Sequence, residues 1–451
     1  PLAGSVTVIN TNVAGITLGN DATVFTFTNS LGATLHLNGK TLRLAGNFTN
    51  SATAANTGLN SSVANSKLLF IGNNQQTIIF NNQTFTGVTH GPDIESNNNF
   101  FNATTTASPS FSALGTVRNI LVNSGAYLQH GGSFQINVLG NITNNGVIYT
   151  AGGNTGALFN FNGTSGAQTI GGTGAWNQIL TNGGNNMFPG FLINNASGVV
   201  LNQNIEIQNR LDLLVNGGVL SGAGILTLGN GTVNTLTLNR SFGAINMTNP
   251  VEYNLSGITY NVNYNSTAAA TPIATGAELP PLSYTDYKQG TLLNNNSVAN
   301  GGVILGASAN INAINNLVSN LLDLNNNTLN IYGTYTNSGT LNASAVNSRL
   351  GFIGVIAQTI TTGTLTSGFI SNATINNPAG VTFSNNVQIG SSGNDGNLNI
   401  VLGTLSQGSG SSLTVFGTFS GTGTLASTSG NASLSLQGTA GTVGTINLLN
   451  G

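Results

Sequence analysis

The sequence predicts an all-β protein in which the chain winds into one continuous β-solenoid. Two observations carry this prediction: one segment recurs along the chain, and short stretches alternate apolar and polar residues with a period of two. Regular repetition is typical of stacked architectures, and a period of two is typical of strands with one buried face. We therefore expect residues 1–451 to form a single solenoid of about five degenerate units, each of roughly 90 residues.

The recurring segment is a strand-like run with a glycine at its centre. Its copies are Thr41–Asn50, Ile136–Asn144, Thr328–Asn337 and Leu413–Ser420, with a weaker copy around Gly229. The central glycines are about 84 to 104 residues apart. Tandem β-sandwich domains are the alternative fold, but they usually have polar or Pro-rich linkers, and strand patterning runs through every candidate boundary. Uneven spacing without linkers favours a solenoid with loops growing from individual turns.

Two further landmarks follow the recurring segment in a fixed order. The first is Gln-Thr-Ile, at Gln76–Ile78, Gln168–Ile170 and Gln358–Ile360. The second is Ile-Asn-Asn-x-x-Gly-Val, at Ile193–Val199 and Ile375–Val381, with a looser version at Leu121–Ala126. The third unit is degenerate, because Tyr253–Tyr260 occupies the place where Gln-Thr-Ile is expected.

The alternating stretches are expected to be strands, with turns at the Gly, Asn, Ser and Asp residues between them. They are Thr41–Leu44, Gln135–Val138, Leu226–Leu228, Thr235–Leu238, Asn386–Ile389 and Ser433–Leu436. The best helical window is Ile311–Leu322, and its Asn residues weaken it.

A turn of roughly 20 to 25 residues predicts about 18 to 22 turns. Apolar side chains would stack inside, and Asn side chains would hydrogen-bond from turn to turn at the corners, as they do in cross-β ladders. This gives a structural role to Asn-rich runs such as Asn294–Asn296 and Asn325–Asn327.

Composition limits the possible partners. Only 4% of the residues are charged and the formal net charge is -2, too little to attract nucleic acid or an anionic membrane over any distance. No apolar run approaches the roughly 20 residues that cross a bilayer, so we expect no membrane insertion. The same near-neutrality lets copies of the chain approach one another. Other copies, or further repeats of the same polypeptide, are therefore the expected partners.

Two stretches break the pattern and are predicted to be lateral loop excursions, near residues 81–116 and 249–290. Binding residues are disproportionately found on loops. The chain contains no Cys. It begins at Pro1 without a signal-peptide pattern, so it is expected to be part of a longer polypeptide.

No residue set clearly predicts chemistry, and no catalytic residue or cofactor is expected. Glu206 and Asp212 share one stretch, but Arg210 between them is a natural charge partner. His90, Asp93 and Glu95 are weak candidates for a metal site, because a solvated loop explains this spacing equally well. The single Trp176 could stack on a sugar or simply pack beside its turn.

Several motifs resemble the β-strand-repeat segments of giant surface adhesin and filament proteins of Bacteroidota. They are Gln168–Gly172, Asn249–Tyr253, Ala274–Pro280 and Ile375–Val381. The resemblance implies a right-handed parallel β-helix, export by the type IX secretion system and an extracellular or cell-surface location. The C-terminal sorting domain expected of that family is missing from this sequence.

These observations favour a structural, non-enzymatic protein: the shaft of an extracellular bacterial adhesin or appendage filament, associating side by side or end to end. A glycan-binding module that uses the two excursions is the alternative, with cell-surface glycans as partners. A polysaccharide lyase or hydrolase is less favoured, since such enzymes need acids or bases converging in one cleft.

Overall fold

The chain forms a parallel β-solenoid. The computed structural model describes residues 6–51, 58–80, 91–100, 110–113, 115–150, 156–176, 178–179, 185–186, 188–214, 218–231, 235–265, 271–285, 291–294, 301–427 and 432–437. These residues make about 16 turns of stacked parallel strands and no helix. The all-β solenoid prediction is confirmed and the tandem-sandwich alternative is wrong.

Turns are longer and fewer than the sequence suggested. Paired residues of adjacent turns are about 19 residues apart at Asn10 and Asn29 but about 33 apart at Thr77 and Ser110. The expectation of 18 to 22 turns assumed a nearly constant length, and it is wrong because many corners carry extra residues.

The chain divides into two compact units, residues 1–230 with 243–252, and residues 231–242 with 253–451. The two-residue strand Glu252–Tyr253 lies where this division falls.

In the first unit the turns are built from three main parallel sheets. The first contains Thr7–Asn10, Thr26–Asn29, Phe48–Asn50, Thr77–Ile79, Ser110–Phe111, Tyr127–His130 and Val147–Thr150. The second contains Ala22–Val24, Thr41–Leu44, Lys67–Phe70, Asp93–Ser96, Ile120–Val122, Ile142–Asn144, Gln168–Gly171, Val199–Leu201, Val219–Gly222 and Ala244–Met247. The third contains Gly115–Val117, Gln135–Val138, Leu158–Phe161, Gly190–Ile193 and Arg210–Leu213.

Shorter strands complete the first unit. Parallel sets are formed by Ile16–Thr17, Leu35–His36 and Leu59–Asn60, and by Ile205–Ile207 with Leu226–Leu228; Gln178–Ile179 and Asn185–Asn186 pair antiparallel. Between residues 110 and 150 the chain passes through the first, third and second main sheets in a regular cycle, so each turn there has three sides.

The second unit is also three-sided. One sheet contains Thr235–Arg240, Thr259–Tyr264, Thr291–Asn294, Ala313–Asn316 and Tyr335–Asn337. Another contains Ile273–Ala274, Val303–Ile304, Leu321–Asp323, Thr340–Ala343, Thr364–Ile370, Val387–Ile389, Ser412–Val415 and Ser433–Leu436. The last contains Ala309–Ile311, Thr328–Ile331, Arg349–Phe352, Asn372–Phe383, Gly396–Gln407 and Gly417–Gly421, extended by Gln358–Ile360 and Thr424–Ser427.

Five of the six alternating stretches are confirmed as strands or parts of strands, and in the sixth, Asn386–Ile389, the strand begins one residue later, at Val387. The window Ile311–Leu322 is not helical, since Ala313–Asn316 lies within it as a strand. Its side chains alternate between half-buried and buried, and this period of two outweighs its helical spacing.

The core consists of like residues stacked from turn to turn. In the first unit, Phe27, Phe48, Phe80 and Phe111 are buried in a column with ring centroids 6.0–6.2 Å apart. In-register pairing places Phe27 beside Phe48. On the next turn Ile78 is in register with both Phe48 and Phe111, and Phe80, two residues further on, supplies the ring between them. This confirms the predicted apolar ladders.

Buried Asn side chains form the predicted ladders at corners. Asn10 Nδ2 donates to Asn29 Oδ1 at 2.7 Å, and Asn29 Nδ2 donates to Asn50 Oδ1 at 2.9 Å. The Asn325–Asn327 run works differently, because Asn327 Nδ2 donates to the Leu305 carbonyl of the previous turn at 2.9 Å. Of the Asn294–Asn296 run, residues 295 and 296 lie outside the described residues.

Parts of the two predicted excursions belong to the sheets. Asp93–Ser96 and Ser110–Phe111 fall within 81–116, Gly115–Val117 overlaps its end, and Thr259–Tyr264 and Ile273–Ala274 fall within 249–290. Residues 81–90, 101–109, 114, 266–270 and 286–290 lie outside the described residues. Alternating burial in Thr259–Tyr264 shows why this segment stays in the solenoid.

Candidate functional site

Most acidic side chains that the structure describes are neutralised locally. Five ion pairs join Arg43 to Asp21 at 3.3 Å, Lys67 to Glu95 at 2.6 Å, Arg118 to Asp93 at 2.8 Å, Arg210 to Asp212 at 2.7 Å, and Arg240 to Glu278. Over the described ranges, no group of three or more His, Asp or Glu is arranged to hold a metal ion.

Asp93 and Glu95 lie on one strand; the carboxylate of Asp93 is bound from the following turn, and that of Glu95 from the turns on both sides. Arg118 donates to both oxygens of Asp93 at 2.8 Å. Glu95 accepts from Lys67 Nζ at 2.6 Å and from Asn123 Nδ2 at 2.9 Å. Burial opposes ionisation of Glu95, but these bonds outweigh it and lower its pKa. The third candidate, His90, lies outside the described residues, so the structure brings two of the three together, as ion-paired sheet residues.

Glu206 and Asp212 lie in different sheets with different partners. Asp212 is buried and accepts from Arg210 Nε at 2.9 Å, the partner that the sequence suggested. Glu206 accepts from Gln208 Nε2 at 2.7 Å. Each carboxylate therefore accepts a hydrogen bond from a residue two positions away in the chain, and these two donors are different residues.

Trp176 is a packing residue in the first unit. Its side chain is 5% exposed and contacts the rings of Phe159, Phe188 and Phe191 at centroid distances of 5.4–6.4 Å. A cavity of about 180 Å³ lies beside it, lined by Gly174, Ala175, Trp176, Phe188, Asn204 and Glu206. With so little of the indole exposed, the stacking surface that a sugar would need is largely covered.

The three landmarks of the sequence meet through a buried glutamine. Gln168 Nε2 donates to the carbonyls of Val138 and Gly140, at 2.8 and 2.5 Å, on the preceding turn. Its counterparts do the same: Gln76 donates to Leu44 and Gly46, and Gln358 donates to Ile331 and Gly333, over 2.5–3.1 Å. The glutamine of Gln-Thr-Ile therefore binds the carbonyls at the central glycine of the recurring segment.

The oxygen of each glutamine is bound from the following turn. Asn195 Nδ2 donates to Gln168 Oε1 at 3.1 Å, Asn98 Nδ2 to Gln76 Oε1 at 2.6 Å, and Asn377 Nδ2 to Gln358 Oε1 at 2.8 Å. We call each of these pairs a Gln–Asn tie. Each tie spans three consecutive turns, and both of its side chains are buried.

The ties explain the order of the landmarks and correct one assignment. The looser version at Leu121–Ala126 is not the third copy of the Asn landmark, because its Asn123 binds Glu95. The third copy is Asn98, in a segment where the surrounding Ile-Asn-Asn-x-x-Gly-Val pattern is lost. The only sequence signal is an Asn-Asn pair about 22 residues after the glutamine.

The central glycine is required by the close approach of turns. A Cβ at Gly46 would lie 2.6 Å from Thr26 Oγ1 and 2.7 Å from the Phe25 carbonyl. A Cβ at Gly333 would lie 2.7 Å from Asn312 Oδ1. Any larger residue would push the adjacent turn away.

The second unit holds one buried polar cluster that sequence reasoning missed. Glu278 is fully buried and accepts from Arg240 Nη1, from Tyr264 Oη at 2.7 Å and from the Gly276 N–H at 2.9 Å. The Tyr260 hydroxyl donates to the Glu278 carbonyl at 2.5 Å. Burial, with the Glu278 charge beside it, raises the pKa of Tyr264, so its hydroxyl remains a donor.

The arrangement as a whole joins turns to one another; the ties and the Glu278 cluster bind backbone and side chains of neighbouring turns.

No family model, curated protein or solved structure matches the chain. The fold by itself defines the class: a parallel β-solenoid repeat protein. A search of the described residues for a helix long and apolar enough to cross a membrane found none.

Proposed function

We propose that this chain is a structural segment of an extracellular bacterial adhesin or appendage, in which the solenoid serves as the shaft. The observation that carries the proposal is the set of Gln–Asn ties. Their side chains are buried in hydrogen bonds that cross from turn to turn, and most acids in the described part are held in ion pairs. These polar groups therefore bind neighbouring turns to one another.

The direction of these bonds matters for mechanics. Strands run around each turn, so the hydrogen bonds between strands and the ties point along the direction in which turns stack. A force applied to the two chain ends loads the outermost turn first. Under a stretching force the solenoid should therefore unfold turn by turn, as a series of small elements, rather than as one domain.

The resemblance to Bacteroidota surface proteins supports the location and the adhesin or filament context. A low content of charge also suits a protein that works near other surfaces, since little electrostatic repulsion arises. Antibody labelling of intact cells that express the full-length gene tests the location: labelling only after permeabilisation would contradict it.

Single-molecule stretching of the 451-residue chain tests the shaft role. We expect stepwise extension, each step releasing one or a few turns. A single turn of about 19 to 33 residues releases about 60 to 110 Å. Opening of either unit in one all-or-none step would contradict the proposal.

A matched pair of variants assigns the steps to the ties. Gln168→Ala should lower the force of the steps around its turn, because two carbonyls lose their donor. Thr169→Ala, beside it and half-buried, should leave those forces unchanged.

A further inference from the structure

One corner of the second unit exposes large apolar side chains on two turns that are separated by a third. Val355 is 79% exposed, Ile356 54%, Val401 41% and Leu402 52%. We call these four residues the apolar stripe. Other exposed large apolar side chains occur in both units, among them Val13 and Leu31 in the first unit and Val318 and Val346 in the second.

The four residues of the stripe lie on the first and the third of three consecutive turns. Asn377 Nδ2 donates to the Ile356 carbonyl at 2.7 Å, which places the corner of the next turn beside Ile356. Asn376 is in register with Leu402 on the turn after that. On the middle turn Pro378 and Ala379 are exposed, and so is the polar Asn376, so each of the three turns presents apolar residues at this corner.

The fold does not require apolar residues at this corner, because the chain builds the same corner three times. Each Gln–Asn tie has its Asn bound to a carbonyl just before the glutamine: Asn98 to Asn74, Asn195 to Gly166, and Asn377 to Ile356, at 2.7–2.9 Å. The exposed residues there are Asn73, Asn74 and Gln75 in the first copy and Thr164, Ser165 and the small Ala167 in the second, so neither copy exposes a large apolar side chain.

The three corners make the same hydrogen bond to the backbone but carry different exposed residues. The exposed residues are therefore not needed to form the corner, and their chemistry can serve a surface function. Val355 and Ile356 lose the favourable hydration that Asn and Thr enjoy at the same corner, with no packing gain inside the unit. Contiguous exposed apolar area of this kind marks an interaction site.

We propose that the apolar stripe is the contact by which two copies of this chain associate side by side; this inference rests on the shaft function. Segments 353–357, 376–380 and 400–404 contain no charged residue, so no ion needs to be desolvated when the stripe is covered. The net charge of -2 leaves little repulsion between copies.

The spacing of the stripe fits a second copy. When Pro378 and Ala379 on the middle turn are counted, exposed apolar residues recur on each turn, at about 4.8 Å, and an identical corner offers the same interval. A two-fold arrangement would place the stripe against itself. A patch of about 300–600 Å² per copy lies below the roughly 800 Å² of a standard stable interface, so one contact is weak, with a dissociation constant of roughly 10–1000 µM.

Sedimentation velocity of the 451-residue chain up to about 1 mM tests the proposal. We expect concentration-dependent dimers, and at least tenfold weaker association for the double variant Val355→Thr, Ile356→Ser, which copies the polar corner at Thr164 and Ser165. Val346→Thr is the matched control, since Val346 is 61% exposed at another corner; it should associate as the parent does.

Cross-linking gives a second measurement. The chain has no Cys, so Val355→Cys introduces the only thiol, and a short bismaleimide should join two copies through it. Thr164→Cys, at the equivalent corner of the first unit, should give little product. Circular dichroism of each variant confirms that it is folded.

A parent chain that stays monomeric at about 1 mM, or a double variant that associates equally well, would overturn the stripe. Capture of a different partner by the stripe without self-association would also overturn it. None of these results touches the shaft proposal, because stepwise extension is measured on single molecules.

Discussion

At the scale of single residues, buried amide side chains bind neighbouring turns to one another in this protein, a role that ion pairs fill in many other proteins. Gln168 donates twice to the turn before it and accepts from Asn195 on the turn after it. An amide offers both a donor and an acceptor and carries no charge, so it can be buried without the desolvation cost of an ion. This explains how a chain with 4% charged residues holds its turns in register.

Gln168→Ala should lower the free energy of unfolding of the surrounding turns by about 2–4 kcal/mol. The substitution leaves the Val138 and Gly140 carbonyls buried without their donor. Urea unfolding followed by Trp176 fluorescence measures the effect, because Trp176 is the only Trp of the chain. Thr169→Ala should cost less than about 1 kcal/mol; equal losses for both variants would show that the tie is not stabilising.

His130 is a second residue whose state depends on burial. It is fully buried against Phe134 and Phe159, with Nε2 3.2 Å from the Leu158 carbonyl. Removal from water disfavours the charged imidazolium and lowers the pKa of His130 to about 4, although the Leu158 bond opposes this.

The stability of the first unit should therefore fall on acidification. An unfolded histidine titrates near 6.5 and the folded one near 4, so between these values the unfolded chain binds the extra proton. Stability is full above about pH 6.5 and is lost as the pH falls toward 4, by roughly 3 kcal/mol. Unfolding followed by Trp176 fluorescence at several pH values should show this slope, and His130→Leu should flatten it. An unchanged slope in His130→Leu would assign the effect to other groups.

At the scale of elements, the short strand is stable only as part of a stack. Strands of two to six residues predominate, and pairs of such strands are marginal in water. Stability comes from pairing on both sides and from the apolar column inside. The Glu278 cluster lies in the third unit, where a Gln-Thr-Ile landmark is missing, and there it binds strands Thr235–Arg240 and Thr259–Tyr264 to the segment after them.

Glu278→Gln should destabilise the second unit by about 3–5 kcal/mol, because Arg240, itself buried, loses its compensating charge. Hydrogen exchange of the amides of Thr259–Tyr264 measures the loss locally. Asp21→Asn, which breaks an exposed pair with Arg43, is the control and should change exchange little. Restored protection in a double variant that also replaces Arg240 by Met would confirm that the unpaired charge is the cause.

At the scale of the molecule, near-neutrality combines with repetition. Eight basic and ten acidic residues are spread over 451 positions, and the ion pairs of the described part use most of them locally. Each unit is thus a stack whose described surface is mostly polar and carries few charges, and in the second unit the apolar stripe can determine where copies meet. The shaft and the stripe are separate proposals with separate measurements.

The sequence alone determined the fold class. Period-two alternation fixes which residues face inward, so strands such as Thr41–Leu44 and Gln135–Val138 were predictable. The recurrence of glycine, Gln-Thr-Ile and Asn-Asn showed that the same packing is repeated, because turns that stack in register favour the same residue at the same place.

Only the tertiary structure decided which landmarks touch. Gln168 lies 28 residues from Gly140 and 27 from Asn195, and turn lengths vary too much for such partners to be assigned from spacing. The Glu278 cluster and the apolar stripe were hidden for the same reason: both depend on which corners coincide after stacking. Local pattern determines the strand, but the register between turns is a property of the folded stack.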